Sequence, residues 1–123
     1  MRALGPNEPL AVCFDDVLDG ATHDSLLEAT IASERDMIDS STGGRDDYRQ
    51  SQMLYTPVDD AEAVVAAVRR CTREATATLS LPAFEPQRIE CQITAHRDGD
   101  FYKAHTDDGD PEAARRALSY IYY

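Results

Sequence analysis

The sequence predicts an α+β fold, helices first and antiparallel strands after them. Apolar residues recur at helical spacing in two stretches before Pro86, and beyond it the period changes to two. The composition, 42% hydrophobic and 28% charged over 123 residues, suits one folded domain with a modest core rather than a disordered chain or two full domains.

In chain order, residues 1–9 hold Gly5, Pro6 and Pro9 and read as an irregular lead-in. Residues 11–14 with Val17 and Leu18 read as a short strand interrupted by Asp15 and Asp16. Thr22 is the expected N-cap of a helix over 23–37, where Leu26, Leu27, Thr30 and Ile31 fall at helical spacing. Residues 39–52 are polar and read as a loop, with an edge strand over 51–55. Asp59 or Asp60 caps a second helix. Its apolar stripe is Val64, Val68, Cys71 and Ala75, then Leu79, with Arg69, Arg70, Arg73 and Glu74 mostly outside it. Pro82 and Pro86 close that segment. Ile89, Cys91, Ile93 and Ala95 then alternate with Glu90, Gln92, Thr94 and His96, the pattern of a half-buried strand. Residues 97–100 form a turn, 101–107 a second extended segment, and 117–123 a third strand after the break at 108–111. The chain is expected to form one domain, with a helical support region over 1–86 and core strands over 87–123.

Charge narrows the partners. Twelve Lys and Arg against 23 Asp and Glu give a net charge of −11, which repels phosphate backbones and anionic lipid. Nucleic acid and membrane are therefore not expected partners, although one local basic pocket could coexist with that charge. No run of about 18 apolar residues offers a transmembrane helix, and residues 1–10 lack the pattern of a signal peptide. Cys13, Cys71 and Cys91 are odd in number and widely spaced, so small buried thiols in a reducing cytoplasm are expected rather than a disulfide scaffold.

The chemistry concentrates at His105-Thr106-Asp107. Residues i and i+2 of a strand project to one face. An imidazole and a carboxylate so placed can bind one metal from adjacent corners, and a second histidine from a distant strand would complete the facial triad suited to non-haem Fe(II). Alone, the triplet is weak and reads more readily as a solvated histidine near an acidic turn. Asp98, Asp100, Asp107, Asp108, Asp110 and Glu112 also admit a module for a hard divalent cation such as Ca²⁺, although EF-hand spacing is absent.

The stretch Glu90-Cys-Gln-Ile-Thr-Ala-His-Arg-Asp-Gly-Asp-Phe-Tyr-Lys-Ala-His105-Thr-Asp107, followed by Arg116-Ala-Leu-Ser-Tyr-Ile-Tyr-Tyr123, resembles the prolyl 4-hydroxylase-like branch of the 2-oxoglutarate- and Fe(II)-dependent oxygenases. That family reads as a strand with Gln, a Gly-containing turn, an aromatic, His-x-Asp, and then an Arg before an aromatic strand. The resemblance is dense from Glu90 to Tyr123 and looser upstream. It implies His105 and Asp107 as the first two iron ligands. It implies Tyr123 as a hydrogen-bonding partner of the distal carboxylate of 2-oxoglutarate, against the alternative of a packing aromatic. Its cofactor set is Fe(II), 2-oxoglutarate as cosubstrate, and ascorbate as a candidate accessory. The implied reaction couples 2-oxoglutarate decarboxylation and dioxygen to C–H hydroxylation of a peptidyl or small-molecule substrate. The implied core is a double-stranded β-helix, a jelly roll buttressed by the N-terminal helices.

Two positions depart from the family. A tyrosine often stands ten residues before the first ligand; Ala95 stands there, with His96 next, either as a substitute or as a solvated side chain. No histidine with a following basic residue comes after Asp107 to serve as third ligand and cosubstrate anchor. The chain is therefore expected to be a fragment or truncated product of a longer oxygenase, incomplete as a domain and nearly inactive alone. A strand-swapped dimer and a catalytically dead remnant acting as an interaction domain are the alternatives.

Overall fold

The computed structural model of the chain describes residues 1–4, 11–40, 48–55, 59–105, 111 and 113–123. They form an α+β structure of two helices and small antiparallel sheets. They fall into two compact units, 1–34 with 56–91 and 35–55 with 92–123.

In the first unit, β1 (Arg2–Leu4) pairs antiparallel with β2 (Ala11–Cys13), with Ala3 opposite Val12. The second strand is the expected one. The first lies in the stretch read as irregular, because three residues before Gly5 and Pro6 are too few to display a period.

Helix α1 (Gly20–Ala32) starts earlier than the sequence suggests because Asp19, not Thr22, is its cap. Thr22 donates its amide to Asp19 Oδ1 and its hydroxyl to Oδ2, both at 2.9 Å. A carboxylate there satisfies one of the orphan amides of the first turn. The helix ends at Ala32 and a 3₁₀ turn over Glu34–Asp36 follows, so the expected run to 37 is interrupted. Leu26 is buried and Thr30 half-buried, but Leu27 and Ile31 are 49% and 63% exposed, so the expected apolar face is covered only in part.

The Thr22 amide first, and then its hydroxyl, hold the Asp19 carboxyl below its ordinary 3.8. A lowered folded-state value means that the unfolded chain takes up the proton first. The stabilisation is therefore complete above the ordinary carboxyl range and lost as pH falls through and below it. Asp19→Asn keeps an acceptor but does not titrate. Thermal midpoints measured from neutral to acid pH are expected to fall less steeply for that variant than for the parent; parallel curves would count against the cap.

Helix α2 (Ala61–Thr78) buries Ala61, Val64, Ala67, Thr72, Ala75 and Thr76. Thr72 and Thr76 enter the core because their hydroxyls donate to the carbonyls of Val68 (2.8 Å) and Arg73 (3.0 Å) in their own helix. Asp60 is the N-cap residue, yet its carboxylate accepts from the Ser25 hydroxyl of α1 at 2.9 Å rather than from an α2 amide. The Arg70 guanidinium donates to the Val17 carbonyl at 3.0 Å and that of Arg69 to the Pro86 carbonyl at 2.7 Å, tying connecting segments to the helix.

At the C-terminus of α2, Leu81 donates to the Thr76 carbonyl (2.9 Å) and Ser80 to that of Ala77 (3.2 Å), the Schellman pattern. Ser80 occupies the left-handed position usually given to glycine, at φ 55°. The left-handed penalty of a side-chain-bearing residue, about 1–2 kcal/mol, exceeds the extra unfolded-state freedom of glycine, about 0.5–1 kcal/mol. Ser80→Gly is expected to stabilise this unit by about 0.5 kcal/mol in chemical denaturation, and a clear loss of stability would contradict the assignment.

In the second unit, β3 (Ile38–Asp39), β5 (Gln52–Leu54) and β6 (Ile93–Ala95) form an antiparallel sheet in the order β3-β5-β6. Ile38 and Thr94 both lie opposite Met53, which is buried. The strand expected at an edge over 51–55 is thus the central one. A ribbon pairs β4 (Arg49–Gln50) with β7 (Phe101–Tyr102), Arg49 opposite Tyr102. The Lys103 amide extends it by donating to the Tyr48 carbonyl at 3.0 Å.

Residues 97–100 form the expected turn. Asp100 Oδ2 accepts from the Arg97 amide at 2.8 Å, and Gly99 sits at φ 87°. The strand expected over 89–96 is confined to 93–95, although 89–92 keep alternating exposure. The extended segment expected over 101–107 is a strand only to Tyr102, and 106–107 lie outside the described residues. Residues 117–123 belong to no sheet, yet Leu118, Tyr120 and Tyr122 are half-buried while Ser119, Ile121 and Tyr123 are exposed, so the period-two pattern survives without a ladder. Cys13, Cys71 and Cys91 form no disulfide and are half-buried rather than buried. Among the described residues no helix is long and apolar enough to cross a membrane.

Candidate metal-binding site

Local backbone geometry presents His105. The ladder between β4 and β7 ends with the Lys103 amide. His105 Nδ1 lies 2.8 Å from the Lys103 carbonyl oxygen, two residues earlier. A carbonyl only accepts, so this contact requires the proton on Nδ1 and leaves Nε2 as the nitrogen that can carry a lone pair. Metal-binding histidines characteristically donate their other ring N–H to such an acceptor, which fixes tautomer and orientation. The His105 side chain is exposed. An imidazole in this tautomer can bind a divalent metal through Nε2.

Aromatic side chains surround it. The imidazole is stacked on the Tyr102 ring, with centroids 3.6 Å apart and planes 20° from parallel. Tyr48 stands edge-on to both, 5.7 Å from Tyr102 and 6.4 Å from His105. The Arg49 guanidinium carbon lies 4.5 Å from the Tyr102 centroid.

Among the other expected site residues, Asp107 lies outside the described residues. Tyr123 is 96% exposed. His96 is exposed, as expected of a solvated side chain, and Ala95 is in β6. Among the described residues no three His, Cys, Asp or Glu side chains stand together in a group that could hold a metal. The described part of the site is His105 and what surrounds it.

Sequence reasoning missed Tyr48, Arg49 and Tyr102. Tyr102 was legible in principle, three residues before His105. Tyr48 and Arg49 arrive through a strand pairing more than fifty residues distant, which no local pattern discloses. A separate open cleft of about 990 Å³ lies in the first unit, between the Val65, Ala66 and Arg69 face of α2 and the Ile89–Cys91 segment. It contains none of the expected site residues.

Comparison with known proteins gives one relationship at the level of sequence. The chain is 32% identical over 102 residues, 80% of its length, to an uncharacterized PKHD-type hydroxylase of Synechocystis. It spans about a third of that relative. No family model matches the chain, and no solved structure matches it.

Proposed function

We propose that this chain carries part of the metal site of a 2-oxoglutarate- and Fe(II)-dependent hydroxylase of the prolyl 4-hydroxylase type. The observation that carries the reading is the similarity to a PKHD-type hydroxylase across 80% of the chain. The tautomer and exposure of His105 support it independently.

In this reading His105 Nε2 and the Asp107 carboxylate are two protein ligands of the metal, and the Tyr123 hydroxyl donates to the distal carboxylate of 2-oxoglutarate. Bound iron and 2-oxoglutarate would activate dioxygen, the oxidant, for C–H hydroxylation of a peptidyl or small-molecule substrate. The chain's own side chains hold and orient. The Lys103 carbonyl keeps the proton on Nδ1, and the ring neighbours of His105 limit its rotation. In this reading residues 87–123 contribute strands to a double-stranded β-helix core, together with β3, β4 and β5, which pair with one another or with strands of that stretch. Three cysteines without a disulfide, together with ferrous chemistry, suit a reducing cytoplasm.

The test is a titration of the metal-free chain with Co²⁺, read by its visible absorption, for the parent, His105→Ala and Asp107→Ala. Saturable binding by the parent, weakened at least about tenfold in both variants, is expected. Equal binding by all three proteins would sink the ligand assignment. Stoichiometric displacement of Co²⁺ by Ca²⁺ would point instead to an oxygen-only acidic site.

A further inference from the structure

We infer that Tyr102 and Arg49 are positioning residues for His105, a stack of guanidinium, phenol and imidazole that aims Nε2 before any metal arrives. This rests on the reading of His105 as a metal ligand. Two restraints orient an imidazole: one fixes rotation within the ring plane, the other fixes the plane. The hydrogen bond from Nδ1 to the Lys103 carbonyl at 2.8 Å supplies the first. Stacking on Tyr102, 3.6 Å between centroids and 20° from parallel, supplies the second.

The phenol is itself held. Directly opposed residues of an antiparallel pair project to one face. Arg49 opposes Tyr102, and its guanidinium carbon accordingly lies 4.5 Å from the ring centroid, within cation–π range. The guanidinium is anchored in turn, because Arg49 Nε donates to Ser51 Oγ at 2.9 Å. Ser51 is only 4% exposed and shares a hydroxyl hydrogen bond of 2.8 Å with Ser40. The Ser40 amide donates to the Ser51 carbonyl at 2.9 Å. The chain of contacts therefore runs from buried Ser51, paired with half-buried Ser40, to the ring at the surface.

An exposed histidine without these contacts samples several rotamers, and a metal must then select one. Ordering a side chain in advance removes that cost from binding. Removing an orienting partner of a metal-binding histidine characteristically weakens the metal 10–100-fold. The stacking partner is expected to fall at the lower end, because the Lys103 hydrogen bond remains.

The experiment has two readouts on the full chain. The first is the NMR shift of the His105 ring protons without metal, which the Tyr102 ring current displaces in the parent. The second is Co²⁺ affinity. Tyr102→Phe retains the stack and is expected to keep both. Tyr102→Leu is expected to return the ring protons to ordinary positions and to weaken Co²⁺ roughly tenfold. Arg49→Gln, a milder change should Tyr102→Leu unsettle the ribbon, is expected to move both readouts less and in the same direction. If His105→Ala binds Co²⁺ like the parent, the ligand reading itself fails. If His105→Ala loses the metal while Tyr102→Leu and Arg49→Gln keep parental affinity, the positioning role alone is overturned.

Discussion

Val64→Asp is expected to unfold the helical unit. Val64 lies in the first turns of α2 and is 6% exposed. Two effects oppose each other. A carboxylate near a helix N-terminus gains about 0.3–1 kcal/mol from the helix dipole. Burying it without a partner costs at least about 3–5 kcal/mol, and the transfer energy of the valine, about 1.5–3 kcal/mol, is lost as well. The burial cost wins by several kcal/mol, comparable to the whole stability of a small domain at about 5–15 kcal/mol. Ala66→Asp, an exposed position two residues further along the same helix, is the control and is expected to cost about 0.5 kcal/mol. Thermal melts followed by far-UV circular dichroism distinguish the two. A Val64→Asp protein melting with its Ala66→Asp counterpart would mean that the buried face of α2 has been misassigned.

That face shows how far the sequence discloses the fold. Val64 and Ala75 of the expected stripe are buried, and Val68, Cys71 and Leu79 are half-buried on the same side. The covered surface is broader than the stripe. It takes in Ala61, Ala67, Thr72 and Thr76, small or hydroxyl-bearing residues that hydropathy does not flag. The threonines can be buried because the helix's own carbonyls accept from them, a property of the folded helix rather than of composition. Helix α1 errs the other way. Leu27 and Ile31 have the spacing of a buried face but remain exposed, because periodicity predicts which residues share a side and not whether anything covers it.

The site was legible to the same extent. His105 was identified by its residue type and its place in the family-like stretch. Its orientation was not, because the ladder ends after Tyr102 and the ring is instead held by a contact of Nδ1 with the Lys103 carbonyl. Tyr102, which stacks on the ring, lies on β7, but Arg49 behind it comes from β4, and the pairing of β4 with β7 is a long-range event whose register two-residue strands cannot announce.

Met53→Ala is expected to carry a core defect to that site. Met53 is 3% exposed in the central strand of the three-stranded sheet, opposite both Ile38 and Thr94. Truncating a buried methionine to alanine costs about 2–5 kcal/mol, because transfer energy is lost and a cavity remains. One residue, Ser51, separates β5 from β4, and Ser51 is also the anchor of Arg49. Loosening β5 therefore frees the serine, then the guanidinium, then the Tyr102 ring stacked on His105. Ile38→Ala, in the partner strand but 56% exposed, is expected to cost under about 1 kcal/mol and to leave His105 as it was. Hydrogen exchange of the β5 and β6 amides, with the His105 ring shift measured in the same samples, reads both ends of the chain of contacts. Faster exchange together with a relaxed ring shift in Met53→Ala is the expected pair. An unchanged ring shift beside clearly faster exchange would show that the stack does not depend on the sheet's core.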